Sequence, residues 1–169
     1  MELASIVKKR AETDKPKARR EGWGDGGAAP YFWIAPIDDD LREVVEEESV
    51  DPERPFRTEK VDGFRPKKVK NVDPARQTEN LIYHAITGWE EFTVADLRSL
   101  VSLKYEVPNA GIDLTAVIDF SEGNRRFLGQ ASSDQFRAWV LTVTSDIASY
   151  HAGLEREATG NSPSTSAGA

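Results

Sequence analysis

From Leu81 to Gly160 the apolar positions recur at helical spacing in three blocks, and each block opens on a start signal. In the first, Asp73-Pro74 supplies a capping acid and a first-turn proline. Leu81, Ile82, Ala85, Ile86 and Trp89 then repeat every three or four residues, which predicts one helix running to Trp89. In the second, Thr93 with Asp96 forms a capping-box pattern ahead of Val94, Leu97, Leu100 and Val101. In the third, Ser133 or Asp134 caps a long final helix striped by Phe136, Trp139, Val140, Val143, Ile147, Tyr150 and Leu154. Between the second and third, Ser121 caps a short helix carrying Phe127 and Leu128 that should stop near Gly129. The run IDLTAVIDF reads as either strand or turn.

Upstream the period changes. YFWIAPI, from Tyr31, is aromatic and β-branched and predicts a strand that stops near Pro36. Asp38 to Asp40 then cap a short helix through LREVVEEE, which carries Leu41, Val44 and Val45 on one side and ends before Asp51-Pro52. Asp62-Gly63, between FRTEKV and FRPKKVKNV, predicts a hairpin turn. The predicted fold class is therefore α+β, a mostly helical small domain with a short N-terminal β element and flexible termini. Residues 1–30 form a flexible basic, glycine-rich arm, 31–159 a single globular domain and 160–169 a disordered tail.

Charge sharpens this picture. The net charge is −7, but residues 1–20 carry +4, residues 38–53 carry −8, and Arg65, Lys67, Lys68 and Lys70 make a second basic cluster. An acidic chain with short basic patches is a poor general nucleic-acid binder, because phosphate neutralisation needs a broad positive face. Charge runs of this kind read first as solvated tails and loops, and second as arms for an acidic partner surface. No run reaches the roughly 20 apolar residues that cross a bilayer. The first residues lack the apolar core of a secretory signal. There is no cysteine, which excludes disulfides and thiolate metal sites and fits a reducing compartment, the cytoplasm by default.

Candidate chemistry is sparse. His84 and His151 are the two histidines and do not share metal-ligand spacing. His84, on a helix beside core positions, reads as structural or surface. Glu46, Glu47 and Glu48 are consecutive and splay around a helix instead of converging. No G-x-S-x-G, phosphate-binding loop or G-x-G-x-x-G occurs. The expectation is a non-enzyme without catalytic, cofactor or metal residues. Trp23, in the glycine-rich arm, and Phe92, Phe127, Phe136 and Tyr150, flanking the helical stripes, are the candidate partner-binding residues.

The order of phrases resembles the small tail assembly chaperones of long-tailed bacteriophages. In that family an I-x-x-W phrase ends one helix and an F-S/T-x-x-N-x-x-x-L-L phrase opens the next. Here the matching residues are Ile86, Gly88 and Trp89, then Phe120, Ser121, Asn124, Phe127 and Leu128. The resemblance spans Asp73 to Asn161, about half the chain, and residues 92–118 and the arm at 1–30 stand outside its pattern. It implies a factor that covers the apolar stripes of the helical tape-measure protein before tail-tube subunits polymerise around it. A groove from the last two helices would do the binding, and the acidic face of 38–53 would keep the complex soluble. The alternative is a structural virion protein of the head, neck or tail, docking on neighbouring subunits through its arm. Phage proteins are the implied partners, with a homo-oligomer also open and neither membrane nor specific nucleic acid expected.

Overall fold

The computed structural model describes residues 17–60, 65–107 and 110–160. Expectations for the first sixteen residues, for the Asp62-Gly63 turn and for the segment after Gly160 fall outside them. The fold is α+β and mostly helical. Three strands, β1 (Arg19–Gly22), β2 (Tyr31–Ile34) and β5 (Ile86–Glu90), form an antiparallel sheet in the order β1-β2-β5. A separate ribbon pairs β3 (Phe56–Glu59) with β4 (Lys67–Lys70). The helices are α1 (Asp39–Glu48), α2 (Pro74–Ala85), α3 (Val94–Leu100), α4 (Glu122–Ala131), α5 (Asp134–Ser145) and α6 (Ile147–Gly160).

The start signals act as written. Asp38, Asp73, Thr93, Ser121 and Ser133 each cap the N-terminus of the helix that follows, and Thr93 with Asp96 closes the full capping box. Each cap satisfies backbone donors that have no partner within the helix.

The core lies between one face of the three-stranded sheet and the helices. Phe32 and Ile34 of β2 stand opposite Trp89 and Ile86 of β5 on the buried face. Ile82 and Ala85 of α2, Phe92, Leu100, Leu128 and then Phe136 and Val140 of α5 close over them. The rings meet edge to face: Phe32 lies 5.2 Å from Phe136 and 5.5 Å from Phe92 between centroids, the arrangement that ring quadrupoles favour. A small polar network is buried among these apolar groups. Asn80 donates to the Ser49 hydroxyl at 3.0 Å, and Ser49 donates to the Val45 carbonyl, so α1 is tied to α2 without leaving an unpaired group.

Four local expectations are corrected. The body begins before Tyr31, because Arg19–Gly22 adds an edge strand to β2 and carries Trp23 onto the core. Its charged sequence hides it, since an edge strand needs little apolar content to pair. The first helix stops at Ala85, and Ile86 to Glu90 turn into β5. Apolar residues three apart suit a helix or a bulged strand, and pairing with β2, which carries a bulge at Trp33/Ile34, decides for the strand. The short helix does not stop near Gly129 but runs through it to Ala131. The final helix is two: Asp146 leaves the helical conformation, and its carboxylate accepts from the Ser149 backbone N–H and hydroxyl, capping α6.

Gly129 sets the spacing of α2 and α4. A Cβ at this position would lie 2.8 Å from the Glu79 carbonyl oxygen of α2. Gly129→Val should therefore push α4 off α2 and destabilise the fold by about 2 kcal/mol or more. Urea unfolding of the variant checks this, and an unchanged midpoint contradicts it.

Candidate functional site

Three segments build one apolar recess: α3, residues 113–119 and the start of α4. The helix α3 is held by its capping box, so that Val94 and Leu97 face inward beside Phe92. The irregular segment 113–118 then folds back along it. Asp113 accepts from the Thr115 amide and hydroxyl, while Ala95 and Val94 donate to the carbonyls of Leu114 and Ala116 at 2.9 and 3.0 Å. The Thr115 hydroxyl and amide hold the Asp113 carboxyl below the ordinary aspartate range. Ile118 donates to the Phe92 carbonyl at 2.8 Å, and the Trp89 indole N–H donates to the Ile118 carbonyl at 2.7 Å. Asn124, at the start of α4, donates to the Asp119 carbonyl at 2.8 Å and fixes the far wall.

The result is an open cavity of about 430 Å³, within the size range of ligand and side-chain pockets. Trp89, Phe92 and Leu128 are buried and form its floor; Val117, Ile118 and Phe127 stand around it. Asp119 and Asn124 are the polar residues in its lining. The apolar character continues onto the surface. Val117 is 67% exposed and Phe127 43%, Phe120 stacks edge-on against Trp89 at 4.8 Å, and Tyr105 does the same against Phe127 at 5.7 Å. Arg125, over the Phe120 ring at 5.6 Å, borders the patch, and with Arg126 it also faces the ring of Tyr83. A recess of this kind can desolvate apolar side chains and offers one carboxylate and one amide to orient them.

The five candidate partner-binding residues separate. Phe92 and Phe127 come together in the recess, Phe92 on its floor and Phe127 on its rim. Phe136 is fully buried and Tyr150 nearly so, and neither presents a surface. Phe136 packs on Phe32 and Trp23, and Tyr150 donates its hydroxyl to the Ile34 carbonyl at 2.8 Å. Trp23 lies edge-on to Phe136 and Trp139 at 5.1 and 5.3 Å, so it covers its own core. The groove is thus not formed from the last two helices: α5 turns its stripe inward, and α4 works with α3 and the 113–120 segment. Val117 and Ile118 lie in an irregular segment with no period to read. Their one sequence signal was an apolar run between turn residues.

The two histidines stay apart from this site. His84 sits 2.8 Å from the Glu48 carboxylate, joining α2 to α1. Among the described residues no group of three or more His, Asp or Glu side chains is placed to hold a metal ion, and no helix is long and apolar enough to cross a membrane.

Burial pushes the Tyr150 hydroxyl up to about 12. The neutral form is the one the fold holds, so its contribution is complete below the unfolded value of about 10 and is lost as pH rises towards 12. Urea titrations at pH 8 and pH 11 should show a larger loss for the wild type than for Tyr150→Phe. The Phe variant should itself lose about 1 kcal/mol at pH 8, through the missing bond to Ile34. Equal pH losses in both proteins contradict this.

No protein-family model matches the chain, and neither a curated protein nor a solved structure matches it.

Proposed function

We propose that the chain is a non-enzymatic phage assembly factor of the tail assembly chaperone type. It works in the host cytoplasm, covering apolar helical stripes of the tape-measure protein until tail-tube subunits assemble around them. The observation that carries this reading is the open recess with its exposed apolar rim. Of the two phrases behind the resemblance, Trp89 from the first and Asn124, Phe127 and Leu128 from the second line it, Phe120 packs against Trp89, and the segment between the phrases supplies the remaining walls. That intervening segment, foreign to the family pattern, is thus part of the binding surface on this reading. Apolar side chains from an amphipathic helix fit such a recess, and each one fully buried is worth about 1.5–3 kcal/mol. The net charge of −7 keeps the loaded complex soluble.

A factor of this kind acts during assembly and leaves. Mass spectrometry of purified particles should find the chain absent or at trace level, while infected-cell lysate contains it in association with the tape-measure protein. A fixed, symmetric copy number in particles would instead make it a virion component.

A further inference from the structure

The β3–β4 ribbon contributes almost nothing to the core. Every residue of β3 is exposed, and in β4 only Val69 is half-buried. The ribbon is anchored at its root, where Asp51 donates its amide to Asn71, Asn71 donates to Pro55, and Asn71 Nδ2 donates to the Arg54 carbonyl. An isolated two-stranded ribbon is marginal in water, and no packing requirement dictates the residues along this one. Yet residues 54–70 hold seven Lys or Arg against Glu59 and Asp62, a net +5 on a chain of net −7. The register puts Phe56 opposite Lys70 and Thr58 opposite Lys68 on one face. On that face the Lys68 ammonium lies 4.2 Å from the Phe56 ring. Lys67, on the opposite face, stands across from Glu59; among the described residues no carboxylate forms an ion pair with Lys68.

The complementary surface lies on the same chain. Opposite its buried Val45, helix α1 turns outward a row of Asp39, Glu43 and Glu47, spaced four apart and flanked by Asp40 and Glu46, all exposed. Like charges at this spacing repel and weaken the helix that carries them. The root of the ribbon already touches the edge of this row: Lys70 Nζ lies 3.7 Å from Glu46 and 3.9 Å from Glu47. Lengths also agree. Four-residue strands run about 13 Å, and a ten-residue helix runs about 15 Å.

We propose that the basic ribbon seats on the acidic row of α1 in a second copy of this chain. Because ribbon and row are neighbours in each chain, a twofold axis lets both exchanges form at once, giving a closed pair and not a filament. The pairing is independent of the apolar recess, so the recess stays open in the dimer. Its strength is electrostatic and falls with salt, since screening shortens to about 3 Å at 1 M.

The test is the mass of the full-length chain in solution by sedimentation equilibrium. At low salt it should be twice 18.8 kDa, reverting to one chain near 1 M salt. Lys68→Glu with Lys70→Glu, and separately Glu43→Lys with Glu47→Lys, should each raise the dissociation constant at least about tenfold. An equimolar mixture of the two double variants should pair again, because each supplies the charge the other now needs. All four positions are exposed, so circular dichroism should be unchanged, and the failure of either variant to fold leaves the other to decide. A wild-type chain that stays single at low salt overturns the proposal, as does pairing that survives both variants. A single chain that retards mixed-sequence duplex DNA, and loses this with Lys68→Glu and Lys70→Glu, makes a nucleic acid the occupant of the ribbon instead.

Discussion

Phe136→Asp should unfold the domain. Phe136 has no exposed surface and contacts Phe32, Trp23 and Trp139 with its ring. The substitution deletes that packing, which for a phenylalanine costs about 3–5 kcal/mol. It also places a carboxylate where no cation waits, adding a further penalty of several kcal/mol unless the acid stays protonated. Against a typical total stability of about 5–15 kcal/mol, the native fold should not persist at 37 °C. Circular dichroism and urea unfolding measure this. A folded Phe136→Asp protein that had merely lost partner binding would return Phe136 to the surface and overturn the packing described above.

Val117→Asp with Phe127→Asp should do the opposite, leaving the fold intact while removing partner binding. Both side chains are exposed in the free chain, so charging them leaves no buried charge behind. In a complex they would be covered by apolar side chains, and each charge would have to be desolvated there. An apolar side chain fully buried by a partner is worth about 1.5–3 kcal/mol, so losing both of these partly covered rim contacts should lower affinity for a tape-measure segment at least about 30-fold. Calorimetric titration reads it. Wild-type affinity in the double variant would move the binding surface elsewhere.

The contrast between these two variants shows what the sequence could convey. Phe127 and Phe136 looked alike as aromatics flanking helical stripes. Which one is covered depends on β1, β2 and β5 coming together from distant parts of the chain, and local periodicity carries no information about that. Helix starts were legible because a cap is a local device: Asp38, Asp73, Thr93, Ser121 and Ser133 need only the next three residues to do their work. The antiparallel pairing of β3 with β4 agrees with the expected hairpin, while its Asp62-Gly63 turn lies outside the described residues. Helix ends were harder. No glycine or proline marks Ala85 or Ser145. The first helix gives way to long-range pairing with β2, and the second to the side chain of Asp146. Half of the recess was legible as the Trp89 and Phe120–Leu128 phrases. The other half, Val117 and Ile118, is held by backbone bonds to α3 and Phe92 that no spacing announces.

On the function proposed above, the recess between α3, α4 and the 113–118 segment receives apolar side chains of a helical tape-measure segment. The most direct measurement is an NMR titration of isotope-labelled chain with such a segment. The expected result is saturable shifts confined to the methyls of Val94, Leu97, Val117, Ile118 and Leu128 and the rings of Phe92 and Phe127. Their absence, or shifts centred on the β3–β4 ribbon or the outer face of α1 instead, would contradict it.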